Sequence, residues 1–353
     1  MTRDVMLTTA TECVERGWVP DALVRWGIRR LCAERLAEQA ATIEGDDPAA
    51  AVARFIDRLR DADIAPVPAK ANEQHYEVPA ECFRLMLGPR LKYSSCWWGD
   101  GARTLEAAEE AALRLSAAHA TIEDGMRILE LGCGWGSLTL WLAEQYPRSR
   151  ITAVSNSTGQ RAFIEAQARA RRLSNVAVIT ADMNTFDIRD RFDRIVSVEM
   201  FEHMRNYQAL LANVRRWLEP DGRLFVHVFC HRTFAYPFEA EGADNWMGRH
   251  FFSGGLMPSA DMLPMVPSPF TVEERWTWDG THYQRTSEAW LRNLDAHRDQ
   301  MRAVLAQASG QASANRAVER WRVFLMACAE LFGYSNGTEW GVAHYRFAPT
   351  EAK

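Results

Sequence analysis

The feature that most constrains this chain is the stretch Arg127-Ile-Leu-Glu-Leu-Gly132-Cys-Gly134-Trp-Gly136-Ser-Leu-Thr-Leu. Its apolar run over 126–131 reads as a buried parallel strand. The run breaks into closely spaced glycines that lead into an amphipathic segment ending near Tyr146. Glycine lets backbone approach a ligand where a Cβ would collide, and it tolerates positive φ in a turn. A small molecule is therefore expected over Gly132, Gly134 and Gly136. The spacing G-x-G-x-G is neither the G-x-G-x-x-G of dinucleotide folds nor a phosphate loop, and no lysine follows it.

The alternation continues downstream. Strands are expected over 150–155, 176–180, 193–198 and 224–229, with helices over 158–172 and 206–218 and Pro220-Asp221-Gly222 ending the second helix. Strands alternating with helices imply an α/β fold whose parallel sheet presents ligands at the carboxyl ends of its strands. Further on, 231–270 reads as an irregular insertion of the kind that serves as a lid or substrate pocket. A sixth strand is expected over 271–278 and a last one over 343–347. Helical patterns at 287–307 and 315–331 are joined by a flexible link at 307–313, and 284–335 completes the cap.

Residues 1–65 form a helical N-terminal region. Pro20-Asp21 opens a helix carrying Leu23, Trp26, Ile28 and Leu31, and Asp46-Asp47-Pro48 opens another carrying Val52, Phe55, Ile56 and Leu59. Pro66 and Pro68 then break the pattern, and the main domain is placed at 66–353.

Composition narrows the class. The 353 residues are 47% hydrophobic, enough for a large core, and the net charge of −5 gives no basic field for nucleic acid. Seven scattered cysteines form no C-x-x-C, so they read as reduced thiols in a cytoplasmic protein, without a metal site. No window approaches the ~18 apolar residues needed to span a bilayer, and integral membrane association is not expected. A small molecule is the expected partner, with assembly open between monomer and homodimer.

The loops at strand ends carry the candidate site. After the second strand, Ser155, Asn156 and Gln160 stand where nucleotide folds usually place an acidic ribose ligand. After the third, Asp182 suits an adenine amino group and Met183 its ring. The fourth runs through Val198 into Glu199-Met-Phe201-Glu202-His203, which brings three titratable side chains to the opening of the sheet, and such clusters mark sites. Upstream, Tyr76, Glu77, Tyr93 and Ser94 are polar groups among aromatics, a composition that suits a pocket wall.

E-L-G-C-G-W-G closely resembles the first motif of the class I S-adenosylmethionine-dependent methyltransferases, which implies a seven-stranded, mostly parallel sheet with helices on both faces and S-adenosyl-L-methionine against this loop. Y-S-S-C-W-W, V-S-N-S-T-G-Q, V-E-M-F-E-H-M and H-Y-Q-R-T extend the resemblance to the cyclopropane fatty acid synthase family, from about residue 70 to 347. Within it, the runs at 75–79, 198–204, 225–236 and 251–258 are more similar to the plant coclaurine and pavine N-methyltransferases. The resemblance implies that Glu202 and His203 receive a substrate amine, with Glu199 beside the cofactor. It also implies that Tyr76, Phe252 and Trp246 line the substrate pocket, and that His227 and Tyr283 match positions that hold a bicarbonate base in lipid cyclopropanating relatives. Two departures argue against cyclopropanation: Ser95 stands at the cysteine position of that bicarbonate site, and Phe229 replaces a small aliphatic residue.

The chemistry favours the amine. Methyl transfer from a sulfonium needs a neutral nucleophile, so an ammonium must first lose a proton, to Glu202 or His203. Aromatic faces at Tyr76, Phe201 and Phe252 would each stabilise the cation by ~0.5–2 kcal/mol. The expected activity is S-adenosylmethionine-dependent N-methylation of a small aromatic or cyclic amine of the tetrahydroisoquinoline type. The alternative is modification of unsaturated lipid chains.

Overall fold

The structure, a computed structural model, describes residues 3–43, 47–66, 78–242 and 245–350. Five runs become strands that pair in parallel: β1 (Arg127–Leu131), β2 (Arg150–Ser155), β3 (Val176–Thr180), β4 (Phe192–Val198) and β5 (Leu218–His231). A two-residue pair, β6 (Tyr236–Pro237) and β7 (Leu256–Met257), follows in the insertion. The last strands, β8 (Phe270–Asp279) and β9 (Trp340–Pro349), complete a seven-stranded sheet of order β3-β2-β1-β4-β5-β9-β8, in which β9 is antiparallel to both neighbours. The chain steps outward from β1 to β3 and then returns to β4. That reversal leaves a crevice between the carboxyl ends of β1 and β4, the usual ligand position in open α/β sheets.

The helices are α1 (Arg3–Glu15), α2 (Asp21–Thr42), α3 (Pro48–Leu59), α4 (Ala80–Met86), α5 (Leu105–His119), α6 (Ser137–Gln145), α7 (Thr158–Ala170) and α8 (Tyr207–Trp217). Two short turns, α9 (Trp246–His250) and α10 (Met262–Met265), lie in the insertion, and α11 (Gly280–Ala296), α12 (Arg298–Ser309) and α13 (Gln311–Phe332) form the cap. Both faces of the central strands are covered. Ile128, Val196 and Phe225 pack with α5 and α6, whereas Leu129, Ile195 and Val226 pack with α8 and α3. This is why these strands read as unbroken apolar runs rather than as alternation.

Three boundaries differ from the sequence expectation. β5 begins at Leu218, directly after α8, and its register slips from Phe192↔Leu218 to Arg194↔Arg223. Pro220-Asp221-Gly222 is thus a bulge within the strand rather than a turn before it, as a residue without an N–H requires. The cap helices divide near His297, and the expected link at 307–313 is reduced to Gly310, whose φ of 81° ends α12 and starts α13.

The N-terminal helices pack onto the cap. Arg25 of α2 bridges Glu288 of α11 and Glu330 of α13 at 2.5 and 2.8 Å, and Arg322 of α13 meets Asp21 at 2.7 Å. On the other side, Val52, Phe55 and Ile56 of α3 join the core beneath α8. No helix among the described residues is long and apolar enough to cross a membrane, and no group of metal-binding side chains is found among them.

Candidate active site

β1 ends in the glycine loop, where Gly132, Gly134 and Gly136 have φ of 79°, 51° and 80°. A Cβ on Gly132 would lie 2.6 Å from the Met200 side chain, so glycine is needed there for close approach as well as for backbone shape. Gly132 and Gly134 line the crevice. Gly136 does not: it is the N-cap of α6, and a Cβ on it would strike Ile164 at 2.7 Å. Its expected cofactor contact gives way to a turn and packing role.

Around the loop lies a cavity of about 1120 Å³ with a side chamber of about 70 Å³. Ser155, Asn156, Asp182 and Met183 line the side chamber, Tyr93, Ser94 and Val198 line the large cavity, and Gln160 borders both. The Ser155 hydroxyl donates to Gln160 Oε1 at 2.6 Å and accepts from Ser157 N at 3.0 Å. This fixes the Gln160 amide and leaves its Nε2 buried with no partner among the described residues. Asp182 accepts from Asn184 N at 2.9 Å in a local turn.

One carboxyl inside the glycine motif was not singled out from the sequence. Glu130 lines the cavity, accepts from Thr139 Oγ1 at 2.5 Å, and is pushed up to about 8 by burial, which the Thr139 bond opposes. The signal was available: an acidic side chain in an apolar strand, two residues before Gly132 of the ligand loop, demands a partner.

The reactive cluster follows β4. Glu199 takes the left-handed conformation, φ 48°, which costs a non-glycine residue roughly 1–2 kcal/mol. Its carboxyl group is held by three neighbours. Oε1 accepts from Ser95 N at 2.9 Å and lies 3.1 Å from His227 Nε2, while Oε2 accepts from Tyr283 Oη at 2.7 Å. Hydrogen bonds to a charged group contribute about 1.5–3 kcal/mol each, enough to offset the backbone strain. Buried Lys92, whose Nζ donates to Ser94 Oγ at 2.5 Å and Ser95 O at 2.7 Å, adds a favourable charge near Glu199. Burial still raises the Glu199 pKa.

Glu202 is deeper, in the single turn Phe201–His203, with Oε1 accepting from Phe229 N at 2.7 Å and Oε2 without a partner among the described residues. Burial, and then the charge of Glu199, push its pKa well above the carboxylate range. Two carboxyls this close cannot both ionise cheaply, so Glu202 keeps the proton and Glu199, with more donors, is the anion. His203 borders both chambers and packs on the Phe252 ring, centroids 4.6 Å apart.

Of the expected substrate wall, Trp246, Phe252 and Tyr283 line the large cavity. Phe201 does not: it is fully buried in the core, its ring 5.5 Å from Tyr207 and its carbonyl accepting the Tyr207 hydroxyl at 2.8 Å. His227 is likewise completely buried and stands behind Glu199 rather than on the cavity surface. Both side chains follow the inward face of their elements, which local sequence does not determine. Tyr76 and Glu77 lie outside the described residues. Two contributors were missed. Trp135 lines the cavity with a buried indole N–H that has no partner among the described residues, and Leu23, Trp26 and Leu31 bring α2 to the cavity mouth.

A glycine loop at the sheet reversal, polar groups after β2 and β3, and an acidic cluster after β4 define a class I methyltransferase. Comparison with known proteins carries this further. Residues 66–338 match the family described as mycolic acid cyclopropane synthetase. The (S)-coclaurine N-methyltransferase of Thalictrum flavum subsp. glaucum is 39% identical over 338 residues, 95% of this chain and 93% of that one. A solved coclaurine N-methyltransferase bound to N-methylheliamine and S-adenosylhomocysteine superposes with a TM-score of 0.91 at 37% identity, covering 96% of this chain and 98% of that one. The cyclopropane-fatty-acyl-phospholipid synthase of Escherichia coli (strain K12) is 34% identical over 220 residues, 62% of this chain and 54% of that one. The chain belongs to the cyclopropane synthetase family of S-adenosylmethionine-dependent methyltransferases. The residues present suit that cofactor: the glycine cradle admits its backbone-hugging part, and the orphaned Gln160 amide offers a buried donor. When bound, the cofactor supplies an electrophilic methyl group.

Proposed function

We propose that the protein N-methylates a small aromatic or cyclic amine of the tetrahydroisoquinoline type. The observation that carries this reading is one continuous cavity whose wall includes the glycine loop, the anionic Glu199 and an aromatic set of Phe229, Phe252, Tyr283 and Phe332. An ammonium entering it meets a carboxylate and π faces, each face stabilising the cation by ~0.5–2 kcal/mol. The Glu199 carboxylate, with His203 and the protonated Glu202 in the same cluster, then takes its proton, which frees the nitrogen lone pair for in-line attack. Gly132, Gly134, Ser155, Asn156, Gln160, Asp182 and Met183 would hold the cofactor, and Trp246 and Phe252 the ring system of the amine.

The end-to-end match to coclaurine N-methyltransferases, N-terminal helices included, supports the amine over the lipid, because the E. coli synthase match spans 62% of this chain. The crowding of Phe229 against Phe252 and Phe332, at 5.6 and 6.1 Å, also argues against a long acyl tunnel at this point. Purified protein given labelled S-adenosylmethionine is expected to label cyclic secondary amines and not unsaturated phospholipid vesicles. Label in lipid alone would overturn the reading.

A further inference from the structure

A row of side chains leaves this site across the sheet. The β5–β9 register sets His227 opposite His344, and the β9–β8 register sets His344 opposite Trp276. Facing residues of antiparallel strands hold their Cβ atoms about 4.5–5.5 Å apart. The two imidazoles meet accordingly, His227 Nδ1 lying 2.8 Å from His344 Nε2. His119, the last residue of α5, continues the row with its Nδ1 2.8 Å from His344 Nδ1, and its ring stacks on Trp276 at 3.8 Å with planes 3° apart. At the inner end His227 Nε2 is 3.1 Å from Glu199 Oε1. Three hydrogen bonds therefore run from a carboxylate on the cavity wall, through two completely buried rings, to a half-buried ring at the C-terminal end of α5.

A neutral imidazole donates at one nitrogen and accepts at the other. The tautomer of each ring in the row thus sets that of the next. Burial keeps all three neutral, His227 and His344 far below the ordinary imidazole range and His119 at about 4. The charged and titratable groups that face the row are Glu199, Lys92 and Tyr283 at the inner end and Glu274 and Arg346 at the outer end, where the last two oppose each other.

We propose that Glu199, His227, His344 and His119 form a proton exit from the active site; this rests on the N-methylation reading above. The amine gives its proton to the acidic cluster and so to the Glu199 carboxylate. The Glu199 O–H passes a proton to His227 Nε2, His227 Nδ1–H to His344 Nε2, His344 Nδ1–H to His119 Nδ1, and His119 Nε2–H to water. One proton reaches solvent for each ammonium deprotonated. Glu199 is again a carboxylate, and each ring is left in its other neutral tautomer until it turns back before the next turnover. The histidines beyond Glu199 are relay residues, acting through that carboxylate and not on the substrate.

The test compares two amines in the full-length enzyme: one whose pKa lies well above the assay pH, and a weakly basic one already neutral at that pH. His344→Asn keeps a donor and an acceptor but cannot shuttle a proton, and His119→Ala opens the outer end. Each is expected to lower kcat for the basic amine by about a hundredfold, the lower end of proton-transfer effects of 10²–10⁴. S-adenosylmethionine binding and turnover of the weakly basic amine should be unchanged. The loss should shrink as the assay pH approaches the pKa of the basic amine, and added imidazole should restore His119→Ala. Wild-type rates in both variants, or equal losses on both amines, would overturn the relay while leaving N-methylation standing. Absence of any amine turnover by the wild type would overturn both. Should His344→Asn lower the melting temperature, the half-buried His119→Ala variant carries the decision.

Discussion

At the scale of single residues, two carboxyls and one amide give the account its sharpest tests. Gln160 stands with Oε1 tied to Ser155 and Nε2 unpartnered among the described residues. Gln160→Ala should weaken S-adenosylmethionine binding roughly tenfold, about 1.4 kcal/mol, without moving the amine KM, and calorimetry against both ligands checks this. Glu130 concerns stability. Its pKa rises from 4.5 to about 8 on folding, so between those values the folded state binds more protons than the unfolded chain. Its contribution is complete below the lower value and is lost as pH rises through the upper one. The melting temperature of the cofactor-free protein should therefore fall between about pH 5 and pH 8.5, and Glu130→Gln should flatten that slope; Glu109, raised to about 7, adds in the same sense. Residue identity at the strand ends was legible because Gly132, Asp182 and Glu199 sit in loops that a parallel sheet must present at one edge, and Gln160 in the first helical turn after such a loop. The direction of a side chain was not. Phe201 and His227 belong to the right segments yet point into packing, and Gly136 shapes a turn, because those outcomes depend on Tyr207, His344 and Ile164, partners that local sequence does not identify.

At the scale of elements, the strands were legible wherever both faces are covered, since burial on two sides forces an unbroken apolar run. β5 was misjudged at its start because Pro220 and Gly222 carry the signature of a turn, whereas here they bulge within a pairing that resumes at Arg223. α11 was missed over its first residues for a related reason. Gly280 looks like a breaker, but a Cβ there would lie 2.0 Å from Phe332 O and 2.3 Å from Trp340 O, so glycine marks a close crossing with the helix already begun under an Asp279 cap. The larger omission was α2. Its apolar stripe was plain, but its use as a wall of the cavity depends on Arg25 reaching Glu288 and Glu330 from far along the chain. Trp26 lines the cavity mouth and remains 58% exposed. Trp26→Ala should raise the amine KM about three- to tenfold, within the ~1–2 kcal/mol that a partly buried aromatic contact contributes, and leave cofactor affinity alone. An effect on cofactor rather than amine would show that α2 guards the other half of the cavity.

At the scale of the whole molecule, the sheet reversal between β1 and β4 creates one crevice, and the cap and N-terminal helices roof it. The glycine loop reaches this space from one side and the Glu199–His203 segment from the other. That convergence is what turns a common fold into a site for moving a methyl group, which on the proposed reading goes to an amine nitrogen that must first lose a proton. The central claim is that the acidic cluster performs that deprotonation, and single-turnover methyl transfer to a cyclic secondary amine by wild type and by the Glu199→Gln/His203→Ala double variant, which removes the anionic carboxylate and the imidazole that line the cavity, with S-adenosylmethionine binding measured in parallel, tests it most directly. The account predicts a loss of at least about 10² in the methyl-transfer rate, the magnitude of general base catalysis, at unchanged cofactor affinity. Transfer at the wild-type rate in the double variant would contradict it.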